Sequence, residues 1–118
     1  MRSMSERHLQ NTLERLASTE AKLRQQELTI DGLRDAIDIA DSIIVDLINR
    51  RATLATSIGE IKKRDGIPVY IPSREKEVIG NVVAKGGGPL PSESIRRIYE
   101  RIIDETRTMV RHNISPDE

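Results

Sequence analysis

Two cations in this sequence stand where apolar residues are expected. Arg51 is seven residues from both Ile44 and Ile58, and Lys62 is four from Ile58 and seven from Ala55. Both therefore fall on the apolar stripe of "LINRRATLATSIGEIKK", Leu47 to Lys63. The spacing between them is about three turns of α-helix, so the two heads can project into one region of the interior. An unpaired cation there costs on the order of several kcal/mol, and an anion has to meet it. Two sources are open: protein carboxylates, with Glu60 and Glu75 available, or a bound anionic ligand. Arg74 and Glu75 open a following helical segment on the side that bears Val78 and Ile79, and Arg34 lies in line with Asp41 and Ile48. Four cations aimed at helix-helix interfaces, Arg34, Arg51, Lys62 and Arg74, suggest a small ligand with more than one carboxylate. Most other charges, such as Arg50, Lys63, Arg64, Lys76, Arg96, Arg97 and Arg101, read as solvated faces.

Other chemistries find little support. Cysteine is absent, which removes thiol nucleophiles, disulfides and thiolate metal sites. His8 and His112 have no partner at metal-ligand spacing and read as surface residues, so no metal and no cofactor is expected. "GGGP" lacks the Gly-Lys-Ser/Thr ending of a phosphate loop and reads as a tether.

The elements that must position these residues are helices. Leu9, Leu16, Leu23, Ile30, Ile37, Ile44 and Ile58 recur at heptad spacing, with Arg51 in the remaining slot. Leu33, Ala40, Leu47, Leu54 and Ile61 add a flanking row. The pattern predicts one long helix from Ser5 to about Arg64, packed along its length. Sixty residues would span roughly 90 Å at ~1.5 Å each, so a break or bend is expected near "TIDGLRD", with Gly32 as the weak point. Before it, Glu20 and Glu27 interrupt the complementary apolar positions, and residues 1–30 read as a helical N-terminal extension. "RDGIPVYIPS" ends the long helix, with Gly66 as cap and Pro68 and Pro72 as breakers. Ser73 is placed to cap a short helix, "REKEVIGNVVAK", with Val78, Ile79, Val82 and Val83 inward. Ser92 is placed to cap a medium helix whose inner face is Ile95, Ile98, Tyr99, Ile102, Ile103, Thr106, Met109 and Val110. The main domain runs over 31–112, and 113–118 is a polar tail expected to fray.

With no Phe or Trp and two Tyr, the core must be built of Ile, Leu, Val and Ala, which suits packed helices. The fold class is all-α: one long, one short and one medium helix per subunit. Three such helices cannot cover a stripe as long as this one, so an intertwined homodimer is expected. Lys+Arg and Asp+Glu are equal at 19 each, which argues against a general nucleic-acid binder. No apolar run approaches transmembrane length, and a soluble cytoplasmic protein is expected.

The frame "LRDAID" (Leu33–Asp38), "LINRRATLATSIGEIKK", "GIPVYIPSREKEVI" and "IRRIYERIIDETR" resembles the all-helical (AroQ-class) chorismate mutases, in order, from about Asp31 to Arg111. The resemblance implies an intertwined dimer with two sites, each built from both chains. It also implies the [3,3] rearrangement of chorismate to prephenate, on the way to phenylalanine and tyrosine. That pericyclic step needs no nucleophile, proton transfer or cofactor; the protein holds a dicarboxylate compact and stabilises charge separation. By family position, Arg34 of one subunit and Arg51 of the other clamp substrate carboxylates, with Arg74 beside them. Lys62 donates to the ether oxygen, Glu75 accepts from the ring hydroxyl, and Thr106, matching a family serine, offers a hydroxyl to a carboxylate.

Two positions depart from the family pattern. Val110 stands where the family has Gln or Glu as a second partner for the ether oxygen, and a missing donor of this kind can slow the rate by ~10²–10³. Ile71 replaces an acidic residue found in some members, where backbone amides can serve instead. The same scaffold also rearranges 4-amino-4-deoxychorismate or removes pyruvate from isochorismate. A non-catalytic helical interaction module is the alternative from another class, and residues 1–30 could dock a partner enzyme or lengthen the dimer seam. Tyr70 and Tyr99 read as packing residues, with Tyr70 near the pocket mouth.

Overall fold

The computed structural model describes residues 4–25 and 28–114. Among these residues the chain is helical and contains no strand: α1 spans Met4–Gln25, α2 Ile30–Asp65, α3 Pro72–Ala84 and α4 Ser92–Ile114. Four helices stand where the sequence predicts three. Glu27 and the tail beyond Ile114 lie outside the described residues. The chain divides into two compact units, residues 1–50 and 51–118, and α2 runs through the boundary.

In the first unit α1 is not a continuation of α2 but folds back along it. Leu23, near the end of α1, lies against Gly32 at the start of α2, while Leu9 and Leu13 share a surface depression with Arg50. The reversal has a local cause. Thr29 Oγ1 accepts a hydrogen bond of 3.0 Å from the Gly32 N–H, an N-cap that starts a new helix at Ile30. Asp31 adds negative charge to the first turn, where the helix dipole favours it. Gly32 is therefore a close-packing position and not the weak point. A Cβ there would meet Leu23 Cδ2 and Thr29 Oγ1, each at 3.0 Å. Leu9, Leu16 and Leu23 are half-buried, and Ile43 and Thr12 are buried.

The second unit begins with the last four turns of α2. Gly66 takes φ of 68°, the left-handed conformation a side chain disfavours, and the chain closes a Schellman cap. The Ile67 N–H donates to the Lys62 carbonyl at 2.8 Å and the Gly66 N–H to that of Lys63 at 3.4 Å. The cap thus fixes the backbone of one of the two buried-stripe cations. Beyond it, α3 starts two residues earlier than expected, with Pro72 in its first turn and Ile71 as an N-cap that contributes no side-chain hydrogen bond. Pro91 takes the N-cap place ahead of Ser92, its carbonyl accepting from the Ser94 and Ile95 N–H groups. Proline's fixed φ and missing N–H suit a helix start, so Pro72 opens α3 and Pro91 precedes the first residue of α4, and neither Ser73 nor Ser92 stands as the cap. α3 packs on α4, with Ile79 and Val110 buried between half-buried neighbours.

This packing leaves most of the α2 stripe uncovered. Ile37, Ile44, Leu47, Leu54, Ile58 and Ile61 are all exposed, Leu54 by as much as 67%. No helix among the described residues is long and apolar enough to cross a membrane.

Candidate active site

The second unit encloses a cavity of about 170 Å³ bounded by α2, α3, α4 and the loop between α2 and α3. From α2, Arg51 and Lys62 line it, as the shared stripe predicts, with Ala55, Ile58 and the buried Gly59 between them. α3 contributes Arg74 and Glu75, with Ile71 just ahead of it, and α4 contributes Thr106 and Val110. Seven of the eight expected site residues therefore surround one cavity. Arg34, the eighth, lies exposed in the first unit.

The hydrogen bonds bear on the first of the two anion sources that spacing leaves open, the protein carboxylates. Arg51 Nη1 donates to Thr106 Oγ1 at 3.3 Å, and Lys62 Nζ donates to the Val69 carbonyl at 3.2 Å. Both acceptors are neutral. Glu60 lies in a separate depression with Lys63, Arg64 and Asn113, and Glu75 pairs with Arg107. Neither carboxylate neutralises Arg51 or Lys62. Within the cavity the hydrogen-bond partners of both cations are a hydroxyl and a backbone carbonyl.

Other expected residues are engaged differently from expectation. Thr106 gives its hydroxyl proton to the Ile102 carbonyl at 2.7 Å, so its free role toward Arg51 is as acceptor. The hydroxyl thus accepts from the guanidinium while its own proton stays within α4. Arg74 forms an ion pair with Glu77 one turn along α3, and both side chains are largely exposed. Val110 is buried and brings no polar atom. Ile71 stands at the uncapped start of α3, where the unpaired backbone N–H groups of a helix add positive potential to the same side of the cavity.

One lining residue goes unnoticed in the sequence. Arg107 binds Glu75 across the α3–α4 contact, lies 3.7 Å from Asp104 and holds its guanidinium 4.7 Å from the centroid of the Tyr70 ring. The sequence does carry a signal for it: Ile103, Arg107 and Val110 follow the same three-four spacing that marks Arg51 on α2. Tyr70 also lines the cavity, in keeping with its expected place at the mouth.

Much of this chain has known counterparts. A family model described as chorismate mutase type II matches residues 33–111. The bifunctional chorismate mutase/prephenate dehydratase of Aquifex aeolicus (strain VF5) is 40% identical over 75 residues, 60% of this chain and 21% of that protein. The 4-amino-4-deoxychorismate mutase of Streptomyces pristinaespiralis is 33% identical over 79 residues, 65% of this chain and 60% of that one. Among solved structures, chorismate mutase (form II) from Thermus thermophilus superposes with a TM-score of 0.67 at 31% identity, covering 69% of this chain and 92% of that one. The chain belongs to the type II chorismate mutase family, whose members are isomerases of all-helical fold. It spans about a fifth of the length of the bifunctional relatives it matches.

Proposed function

We propose that this chain catalyses the rearrangement of chorismate to prephenate, in aromatic amino-acid biosynthesis, as a cytoplasmic homodimer with shared sites. The observation that carries the reading is the pair Arg51 and Lys62, two half-buried cations in one cavity with only neutral hydrogen-bond partners. A dianionic substrate supplies the missing counter-charge. In the reaction the ether C–O bond breaks as a C–C bond forms, with no proton or electron exchanged with the protein.

Arg51, steadied by Thr106, grips one carboxylate through its planar fork, and Arg34 of a second protomer reaches the same substrate. Lys62 donates to the ether oxygen, where negative charge grows as the bond stretches, and this preorganised donor supplies the main electrostatic term. Glu75 accepts from the ring hydroxyl, using lone pairs its ion pair with Arg107 leaves open. Arg74 adds positive potential at the mouth, and Ile71 and Val110 give the ring apolar walls. The exposed α2 stripe supports the dimer, because a helix face this apolar needs a second surface to cover it.

The similarity to a 4-amino-4-deoxychorismate mutase favours a second reading, in which the ring bears an amine. Partner docking by α1 belongs to the same set of proposals, since relatives carry a second enzyme in one chain. Incubation of the purified chain with chorismate, followed by decay of the diene absorbance, tests the main reading. Decay no faster than the uncatalysed background would remove it.

A further inference from the structure

The cavity contains a charge arrangement that the proposed rearrangement does not require. Glu75 is the acid placed to receive the polar group on the substrate ring, yet its charge is already met. Arg107 forms an ion pair with it, and the two side chains are only 28% and 29% exposed. Arg107 cannot easily swing away. Its guanidinium rests on the Tyr70 ring and lies 3.7 Å from Asp104, so two groups hold it beside Glu75.

Consider the two ring substituents this scaffold can meet. A hydroxyl is neutral and donates one hydrogen bond, which a carboxylate accepts equally well with an arginine on its other oxygen. An amine on the ring carries a proton near neutral pH. It would bring a second cation to a carboxylate already neutralised, next to the arginine that neutralises it. At contact distances in a partly desolvated cavity, like charges repel strongly enough to change binding by orders of magnitude. The same Glu75 without Arg107 would favour the ammonium.

We propose that Arg107 is a specificity-determining residue, which by occupying Glu75 makes this cavity select a ring hydroxyl over a ring ammonium. The proposal rests on the functional reading above and sharpens it by excluding the amine-bearing substrate. Arg107 acts through Glu75 and is a positioning residue, not a catalytic one.

The test is a ratio. The parent chain, Arg107→Leu, Arg107→Gln and Arg107→Lys are each assayed with chorismate and with 4-amino-4-deoxychorismate, and kcat/KM for the two is compared within each protein. The parent should prefer chorismate. Both neutral variants should shift the ratio toward the amine by at least about tenfold, and Arg107→Lys, which keeps the charge, should retain the parent preference. A merely structural role would lower both rates and leave the ratio alone, and circular dichroism identifies any variant that fails to fold. A ratio unchanged within about twofold in a folded neutral variant would overturn the inference while leaving the functional reading standing. A parent that prefers the amine would overturn it too. No turnover of either compound by the parent would bring down the functional reading and the inference with it.

Discussion

Replacing Arg51 with methionine separates the two demands placed on that residue. The change keeps an unbranched apolar stem and removes the guanidinium. What the folded protein loses is one hydrogen bond of 3.3 Å to a neutral hydroxyl, a net contribution of about 0.5–1.5 kcal/mol. Thr106 is not stranded by the loss, because its proton still goes to the Ile102 carbonyl. Against the loss stands relief: a half-buried cation with no carboxylate partner no longer has to be desolvated. The two terms are of similar size and opposite sign. Stability should stay within about 1 kcal/mol of the parent, or about 4 °C in Tm for a chain of this length.

Turnover should behave quite differently. Arg51 is assigned two charge-assisted hydrogen bonds to a substrate carboxylate, each contributing about 1.5–3 kcal/mol. Together they represent about 3–6 kcal/mol of transition-state binding, a loss of ~10²–10⁴ in kcat/KM. The assay pairs initial rates of chorismate decay with thermal melts at equal protomer concentration, since Tm depends on concentration in an oligomer. Parent-like kcat/KM in Arg51→Met would refute the assignment of this cation to the substrate. A fall in Tm beyond about 8 °C would refute the energetic reasoning, by showing that the guanidinium is part of the fold.

Three further changes probe other parts of the site. Val110→Gln places an amide in the cavity where a donor to the ether oxygen is missing, and should raise kcat by up to ~10²-fold; an unchanged rate would mean that another group already fills that role. Leu54→Glu puts a charge at the most exposed point of the α2 stripe among the residues argued to form the seam, and should convert a dimer to a monomer in sedimentation. Retention of the dimer would move the seam elsewhere. Gly66→Ala meets no neighbouring atom but imposes a left-handed φ of 68° on a residue with a Cβ, and should cost about 1–2 kcal/mol in denaturant titration.

Much of this arrangement is legible in the sequence because it follows from helical period. Heptad spacing identifies the helices, and the same spacing reveals Arg51 and Lys62 as cations out of place. What period cannot show is direction. Leu9, Leu16 and Leu23 keep their register whether α1 continues into α2 or folds back on it, and only the Thr29 cap and the tight contact at Gly32 decide. Ion-pair choice is equally hidden. Glu75 and Arg107 lie 32 residues apart on different helices, so their contact is a product of how α3 packs on α4. The family resemblance gives Thr106 the role of donor to substrate, whereas here its hydroxyl proton goes to the Ile102 carbonyl of its own helix.

The exposed stripe and the unmatched cations are two consequences of one arrangement. Arg51 lies on α2 between Ile44 and Ile58, both more than half exposed, so whatever covers the stripe also covers the cation. In water a charge pair at contact gains about 1 kcal/mol, and several times that where the effective dielectric falls. On the proposed reading, Arg51 and Lys62 would therefore hold a dianion and stabilise a growing oxyanion only when the surface around them is dry. A second protomer laid along α2 would supply that dryness and Arg34 together. On that reading assembly would be a condition of the chemistry and not an addition to it, and Leu54→Glu, which touches no substrate atom in the proposed site, should lose turnover along with the dimer.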